Sequence, residues 1–435
     1  MDNAILAGVG DDNASFTIVG ASGKAAKKYL SCRYIERGIV FQPARVITPC
    51  CVNPANGLSP ELVPFNGGSF SIDAMLEARA QLVKRHKAGD ISKECQGCPR
   101  LTEAEWNTEQ MGEYAIDEVT IAHFTSCNIR CNYCYTVTRP EWSAPLSKAP
   151  RLLPIFQQLI DRKLLAPYAT VKFSGGEPTL SPEFEPLLML LNDYGVSSIV
   201  YTNATKRSDA IIDALKRDKV ELICGIDAAS IKTYKAIKKM NYHDKVWNVL
   251  AEYCAALPSD AVNKVWAKFI FCLENYQEAE HFVHLAAAAG AKHVYYDLDS
   301  SRVEGRVAHA DNSVLPEIIT DYIAVLRHEC EKHGVTVDFA QSGLVWLTPE
   351  RVTRIEREIE RLRQLPDDIS YLTDYTPQLF DWAPGNPYSK SDFLKTALIA
   401  AQAGLIWLSP ERTHQMASEL AAFGQTNAVD AHVLQ

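Results

Sequence analysis

Short apolar runs alternate with amphipathic stretches through the middle of the chain. The runs are rich in β-branched and aromatic residues, which favours strands. We predict six strands, at Val119–Thr125, Ala169–Phe173, Ser197–Asn203, Val220–Asp227, Val265–Cys272 and His293–Leu298. Helical spacing between them predicts helices at Leu152–Leu165, Asp209–Arg217, Gln277–Ala289 and from the N-cap signal Ser181-Pro182 to Gly195. Such alternation is typical of a parallel sheet wrapped by helices, with chemistry at the carboxyl ends of the strands.

A cysteine-rich loop follows the first predicted strand. Cys127, Cys131 and Cys134 are spaced by four and three residues, and Tyr133 precedes the last of them. A tight loop of this kind can bring three sulfurs onto three irons of a [4Fe–4S] cube, and it leaves the fourth iron open to a substrate or cofactor. For this motif alone, a zinc knuckle or three unrelated buried thiols is the alternative.

A second motif, Gly175-Gly176-Glu177-Pro178, comes just after the second predicted strand. Two adjacent glycines let the backbone approach a ligand closely, and the carboxylate that follows can pair with an ammonium group. An ordinary turn at the end of a strand is the alternative for these glycines.

Together the two motifs resemble the radical S-adenosylmethionine (radical SAM) superfamily. The resemblance implies an α/β fold, an open partial (βα)6 barrel, because a complete eight-unit barrel would need more chain. It implies a [4Fe–4S] cluster on the three loop cysteines and S-adenosyl-L-methionine bound through its amino group at the glycine motif. Its cofactor-binding positions correspond here to Tyr133, Gly175, Gly176, Glu177, Pro178, Asn203, Asp227 and Asn275.

Two further strand-end features bear on the predicted site. Gly225 stands where related enzymes carry a serine, so a hydroxyl that could recognise the ribose is absent. Tyr296, Asp297 and Asp299 lie near the end of the sixth predicted strand. They are candidate catalytic residues for substrate contact or proton transfer, with buried structural pairing as the alternative.

The first 110 residues carry a second set of thiols. Cys32 precedes a predicted hairpin within Gly38–Thr48, and four more cysteines follow that hairpin, namely Cys50, Cys51, Cys95 and Cys98. Beside a radical SAM core this set is similar to the auxiliary-cluster modules called SPASM or twitch domains, although those usually follow the barrel. It predicts a possible second [4Fe–4S] cluster, in which only one of the vicinal cysteines need be a ligand. A structural zinc ribbon is the alternative.

The length of 435 residues favours two or three domains. We expect a cysteine-rich module at 1–110, the radical SAM core at 111–335 and a mostly helical extension at 336–435. The extension holds a near-repeat, Ala340–Arg351 and Ala401–Arg412, in which each copy starts a helix at a Thr-Pro or Ser-Pro pair. Ile18–Lys24 has the pattern of a plain strand, turn and helix.

Net charge and cysteine content limit the classes of partner and the compartment that we expect. The net charge of −9, without a dense basic stripe, argues against nucleic acid as a partner. Twelve cysteines, in a chain whose N-terminus is not a basic-then-apolar leader, predict a cytoplasmic protein with metal ligands instead of disulfides. No apolar run reaches the ~18 residues of a membrane span, so no membrane contact is expected.

The resemblance also implies an activity. Such an enzyme cleaves S-adenosyl-L-methionine reductively to a 5′-deoxyadenosyl radical, which abstracts a hydrogen atom from a substrate. An electron donor such as flavodoxin or ferredoxin is implied. Because relatives with auxiliary clusters often act on peptides, we expect oxidative modification of a peptide or protein side chain. The alternatives are oxidation or epimerisation of a carbohydrate or other small metabolite, or a zinc-binding scaffold protein.

Overall fold

The computed structural model describes residues 29–43, 46–51, 58–65, 70–104, 106, 113–138, 143–258, 262–272, 274–298 and 315–339, with 353, 357, 360 and 416–418 beyond them. The described strands are β1 Tyr29–Ser31, β2 Gly38–Phe41, β3 Val46–Thr48, β4 Val63–Pro64, β5 Thr102–Ala104, β6 Ile116–Ile121, β7 Leu165–Phe173, β8 Ser197–Thr202, β9 Val220–Gly225, β10 Val265–Phe271, β11 His293–Leu298 and β12 Thr336–Phe339.

The described α-helices lie mostly between the later strands. They are α1 Arg33–Arg37, α2 Ile72–Lys87, α3 Tyr135–Thr138, α4 Leu153–Asp161, α5 Phe184–Tyr194, α6 Asp209–Lys216, α7 Ile231–Lys238, α8 His243–Ala255, α9 Ala279–Ala288 and α10 Leu315–Lys332. No described helix is both long and apolar enough to cross a lipid bilayer.

The chain divides into two compact units. The first contains residues 1–226, 238–268 and 289–293. Its sheet has the order β10-β9-β8-β7-β6-β2-β3-β4, and all neighbours from β10 to β2 run parallel. Alternate strand residues fill its core, and Val119, Val171, Val200 and Leu222 are at most 1% exposed. The expected parallel α/β architecture is confirmed.

The second unit contains residues 227–237, 269–288 and 294–435. Within the sheet order, β12 lies beside β11, and β11 lies beside β10. Phe269, Phe271, Phe282 and Tyr296 form a buried aromatic cluster with ring centroids 5.0 to 6.5 Å apart. Helix α9 contributes Phe282 to this cluster and packs against α10.

All six predicted strands are present, with ends that differ by a few residues. β11 has the bounds expected from the sequence, whereas β6 starts and ends earlier than predicted. The helix expected after Ser181 begins at Phe184, because Pro178–Leu180 forms a separate 3₁₀ turn. Gly195 ends that helix as predicted, with a left-handed φ of 103° that glycine adopts without steric cost.

The N-terminal hairpin is confirmed and does more than the sequence indicated. β2 pairs antiparallel with β3, and its other edge pairs parallel with β6, Ile39 opposite Val119. A two-stranded ribbon of β1 and β5 was not predicted. Cys32 directly follows β1 and Cys98 comes four residues before β5, so the ribbon draws the two ends of the module together.

Several predicted features lie outside the described residues. They are the two copies of the near-repeat, the Ile18–Lys24 segment and Asp299. The domain boundaries expected at residues 110 and 335 stay predictions.

Candidate functional site

The glycine motif is bound along its backbone to the loop that leads into the cysteines. The amide of Ser174 donates to Ile121 O at 2.8 Å, and the amide of Gly176 donates to Phe124 O at 2.8 Å. The amide of Glu177 continues the series by donating to Ser126 O at 2.9 Å. The two sequence motifs therefore extend the parallel pairing of β6 and β7 beyond the strand ends.

This pairing explains why both residues of the motif are glycines. Gly175 has a φ of 91°, and a Cβ atom on it would lie 2.8 Å from Phe124 O. A Cβ on Gly176 would collide with Ser126 O. From the sequence we expected close approach to a ligand. The structure shows close approach to the cysteine loop itself, so the glycines set the distance between the two motifs.

We expect Gly176→Ala to lower iron incorporation into the protein sharply, because the clash is with backbone and the cysteine loop must move. Overpacking of this kind costs about 1–3 kcal/mol. Gly225→Ala is the matched control, since its Cβ would have only Thr202 O near it, at 3.7 Å. Iron per chain after anaerobic reconstitution measures the effect. Equal iron contents in the two variants would contradict this role of Gly176.

Glu177 is almost completely buried, at 2% exposure. Its Oε1 accepts hydrogen bonds from Thr179 N at 3.2 Å, Thr179 Oγ1 at 2.7 Å and Thr202 Oγ1 at 2.8 Å. Its Oε2 accepts one, from Asn203 N at 2.7 Å. Burial raises the pKa of this carboxyl, and these four donors oppose that rise. Because each carboxylate oxygen has two lone pairs and Oε2 accepts only one of these hydrogen bonds, Oε2 keeps room for one further donor.

Asn203 links Glu177 to the cysteine loop. Its Nδ2 donates to Asn128 Oδ1 at 2.8 Å and lies 3.5 Å from Cys127 Sγ. Its Oδ1 accepts from Thr205 Oγ1 at 2.6 Å, and that hydroxyl also accepts from Asn128 Nδ2 at 2.7 Å. The end of β8 thus holds the first cysteine of the motif and the carboxylate of the second motif in one hydrogen-bonded network.

The three loop thiols have different surroundings. Cys127 is exposed, Cys131 is buried, and Cys134 lies between them in exposure, with Sγ 3.1 Å from Thr136 Oγ1. Desolvation by the surrounding loop, followed by the charges of Glu177 and Cys131, raises the pKa of the Cys127 thiol to about 11. Metal binding at this position must therefore release a proton.

The spacing of these thiols tests which metal group they fit. Their three sulfurs do not all lie within 4.8 Å of one another. A tetrahedral zinc ion with Zn–S bonds of about 2.3 Å needs sulfurs about 3.8 Å apart. Thiolates that bind different corners of an iron–sulfur cube stand farther apart, and three ligands leave one corner open. Three thiols on one short loop are therefore compatible with a cluster that has one open corner.

Lys238 is a site residue that the sequence did not indicate. It is 2% exposed, and its Nζ donates to Tyr133 Oη at 3.1 Å and to Gly225 O at 3.0 Å. Its own carbonyl accepts from Arg130 N at 3.0 Å. Lys238 therefore holds the cysteine loop at two points, one of them the aromatic residue of the motif. A lysine at the end of a helix, α7, gives no sequence signal for this role.

Asp227 and Asn275 belong to the second unit and are tied to each other. Asp227 is fully buried with a φ of 62°, and its Oδ1 accepts from Ile270 N at 2.7 Å. Asn275 Nδ2 donates to Asp227 O and to Ile270 O, both at 2.8 Å, and its Oδ1 accepts from Cys272 N. Both amide hydrogens of Asn275 are used, so its geometry is that of a residue which joins strand ends. A cofactor contact by either residue stays a prediction.

The candidate catalytic residues of the sixth strand also belong to the second unit. Tyr296 is 1% exposed, lies in the aromatic cluster and donates its hydroxyl to Ala279 O at 2.8 Å. Burial raises its pKa well above the usual range. This geometry favours the structural alternative for Tyr296. Asp297 is half-buried, and Asp299 lies outside the described residues.

The N-terminal thiols form a second group in the first unit. Cys32 and Cys95 are buried, whereas Cys50 and Cys98 are half-buried. Burial, with smaller contributions from the charges of Cys32, Cys95 and Cys51, raises the pKa of Cys50 to about 11. Burial likewise raises the pKa values of Cys32 and Cys95, with a contribution from Cys98 in each case. Four thiols that influence one another in this way occupy one neighbourhood.

Cys51 has different surroundings. It is exposed, and after burial and the charge of Cys134 its charge contributes to raising the pKa of Tyr135 well above the usual range. Cys50 is instead held among the other thiols, with Sγ 3.3 Å from Ser59 Oγ and its carbonyl bonded to Thr48 and Ser59. Among the described residues, no three thiols of this group lie within 4.8 Å of one another.

Comparison with known proteins supports this chemistry. Residues 121–303 match the family model described as the Radical SAM superfamily. The chain contains a radical SAM domain. A domain of this family implies an enzyme that uses a [4Fe–4S] cluster and S-adenosylmethionine, and it argues against the zinc-binding scaffold.

Curated relatives match parts of the chain. GTP 3′,8-cyclase 1 of Mycobacterium tuberculosis is 27% identical over 140 residues, 30% of this chain and 37% of that protein. An S-adenosylmethionine-dependent nucleotide dehydratase of Flammeovirga pacifica is 23% identical over 154 residues, 33% of this chain and 52% of that protein. The chain thus spans about half or less of the length of these relatives.

Distant structural similarity extends further along the chain. The crystal structure of Streptococcus suis SuiB covers 73% of this chain and 71% of its own, with 14% identity and a TM-score of 0.37. Native anSMEcpe with bound AdoMet covers 51% of this chain and 62% of its own, with 15% identity and a TM-score of 0.40.

Proposed function

We propose that this radical SAM enzyme oxidises a side chain of a peptide or protein and uses a second iron–sulfur cluster in its N-terminal module. When bound, the cofactors of the superfamily supply a 5′-deoxyadenosyl radical that removes a hydrogen atom from the substrate. Net oxidation then needs an acceptor for one further electron, which a second cluster can provide. A reductant such as flavodoxin or ferredoxin supplies the electron for cofactor cleavage.

The residues of the cysteine loop and of the glycine motif would bind and orient the cofactors. Cys127, Cys131 and Cys134 would hold the core cluster, with one iron left open for the amino acid part of S-adenosylmethionine. Glu177 Oε2 has room for one donor, which suits the ammonium group of that cofactor. Lys238, through Tyr133, would fix the loop that carries the cluster.

The observation that supports a second cluster is the grouping of four thiols, those of Cys32, Cys50, Cys95 and Cys98. Four thiols from separate parts of the module lie close enough there to influence one another's pKa. Four thiolates can ligate all irons of a [4Fe–4S] cube. Cys50 is proposed as the ligand of the vicinal pair, because it faces the other thiols.

A cleft beside this thiol group supports a polypeptide substrate. It has a volume of 640 Å³, and Ser59, which bonds to Cys50, is part of its wall. Charged residues of both signs line it, among them Glu61, Arg85 and Lys93. Ligand pockets of about 300–1,000 Å³ are typical of specific sites. Mixed charges suit a peptide with both acidic and basic side chains better than a polyphosphate, which the acidic groups would repel.

Metal analysis after anaerobic reconstitution tests the second cluster. The wild-type protein should bind about eight irons, and a Cys127→Ala, Cys131→Ala, Cys134→Ala variant should retain about four. Cys50→Ala should lose about four irons from the otherwise intact protein, whereas the neighbouring control Cys51→Ala should keep all eight or so. A triple variant with almost no iron and about one zinc per chain would establish a zinc ribbon instead.

A nucleotide is the second candidate substrate, because both curated relatives reported above are named for nucleotide reactions. One assay distinguishes the two candidate substrates. It measures the rate of 5′-deoxyadenosine formation by the reconstituted enzyme. Under our proposal a pool of proteolytic peptides stimulates this rate and a pool of nucleoside triphosphates does not. Stimulation by the triphosphates alone would establish the nucleotide reaction.

A further inference from the structure

A group of metal-ligating side chains lies on two neighbouring helices of the second unit, with no part in the sites described above. His284 comes from α9, Glu329 from the last turn of α10, and His333 from the residue just after α10. The nearest nitrogens of His284 and His333 lie 3.0 and 3.8 Å from Glu329 Oε2. All three ligand atoms fall within 4.8 Å of one another, and no other trio of His, Cys, Asp or Glu ligand atoms in the described part of the chain does so.

The two helices carry the same sequence spacing of a glutamate and a histidine. Glu280 and His284 are four residues apart on α9, and Glu329 and His333 are four residues apart at the end of α10. Residues four apart lie on the same face of a helix. Because α9 and α10 pack against each other, the two Glu-x-x-x-His faces meet.

We propose that His284, Glu329 and His333 bind one divalent transition metal ion, with zinc as the best fit. Two imidazoles and one carboxylate are a ligand set that zinc accepts, at bond lengths of about 2.0–2.2 Å. A tetrahedral ion with such bonds needs ligand atoms about 3.3–3.5 Å apart, which lies between the two distances above.

Glu280 supplies the second observation that points to a ligand. It is 5% exposed, and its Oε2 is buried without a hydrogen-bond partner. Its charge interacts with those of Glu329, His284 and Lys332, so it lies beside the three-residue group. An unpartnered buried carboxylate oxygen is costly, and a metal ion or its bound water would satisfy it. Glu280 is the fourth ligand, directly or through water.

The other charged groups around the site leave the metal-facing atoms accessible. Lys332 Nζ bonds to Glu329 Oε1 at 3.2 Å, which leaves Oε2 to the metal. His281 is the other titratable neighbour on α9, with its ring 6.1 Å from that of His284. The side chains of His284 and His333 are 40% and 37% exposed, so an ion can enter from solvent. The bound metal would fasten α9 to the end of α10.

An ion-pair network is the competing explanation, and zinc binding by the full-length, cluster-loaded enzyme distinguishes the two. Equilibrium dialysis should show one tight zinc ion beyond the iron. His333→Ala should weaken binding at least about tenfold, since even outer ligand partners contribute that much. His281→Ala is the matched control, a neighbouring histidine outside the ligand set, and should keep the wild-type affinity.

Thermal unfolding provides a readout that does not depend on enzyme activity. Zinc should raise the Tm of the wild-type protein and of His281→Ala, because a ligand bound only to the folded state stabilises it. The Tm of His333→Ala should not respond to zinc, while its Tm without zinc shows that it is folded. Absence of a zinc-dependent Tm shift in wild type, or an equal shift in both variants, would overturn the proposal. If His333→Ala does not fold, Glu329→Gln replaces it with the same expected loss.

Discussion

Replacing Cys127, Cys131 and Cys134 together by alanine should abolish the formation of 5′-deoxyadenosine from S-adenosylmethionine. The three thiols are the only ligands that the loop after β6 offers to the core cluster, and without the cluster no electron reaches the sulfonium. The measurement is product formation under reducing, anaerobic conditions. Because Glu177 and Asn203 are unchanged in this variant, the loss would come from the cluster and not from the wall of the cofactor site.

A single Cys254→Ala variant is the control for thiol loss in general. Cys254 is half-buried on α8 and belongs to neither thiol group. It should form 5′-deoxyadenosine at close to the wild-type rate. Undiminished product in the triple variant would remove the central assignment of this enzyme, whatever the second cluster does.

The second large effect is expected from Glu177→Gln, which should weaken S-adenosylmethionine binding roughly ten- to hundredfold. The reason is the loss of one charge-assisted contact to the ammonium group, which contributes about 1.5–3 kcal/mol. An NH2 group in place of Oε1 can donate to the hydroxyls of Thr179 and Thr202, which can accept as well as donate, but the Thr179 N–H then loses its acceptor. The remaining oxygen of the new amide can still accept from Asn203 N.

Thr202→Val is the control for disturbance of the network around Glu177. It removes one of the four hydrogen bonds to that carboxylate and keeps the charge. It should therefore lower affinity for S-adenosylmethionine much less than Glu177→Gln does. Affinity is measured on cluster-loaded protein with iron content determined in parallel. A Glu177→Gln variant with full iron and unchanged affinity would refute the contact.

The parallel sheet was predictable because strand and helix periods alternate along the chain, and the strand ends carried both motifs. The role of Gly175 and Gly176 was only partly predictable. Adjacent glycines indicate a close approach of backbone, but the approaching partner, the carbonyls of Phe124 and Ser126, is known only from the register of β6 and β7. Lys238 could not be found from sequence, since a lysine at a helix end is ordinarily solvated.

In the sixth predicted strand, β11, the sequence identified candidate residues but could not give the orientation of their side chains. Alternation places Tyr296 and Asp297 on opposite faces of β11, but sequence does not decide which face meets the core. The structure buries Tyr296 against Phe269 and Phe271 and directs its hydroxyl to a carbonyl. The sequence also did not decide whether Cys50 or Cys51 is the proposed ligand, because neighbouring residues in a loop have no fixed periodicity.

Strand β2 has a consequence for how this enzyme avoids self-association. Without Gly38–Phe41, β6 would be the last strand of the parallel sheet, with a row of unpaired backbone groups beside Val119 and Ile121. Such an edge is a template for pairing with another chain. The N-terminal segment therefore protects the core from aggregation as well as carrying thiols, and a fragment that begins at residue 111 would lose this protection.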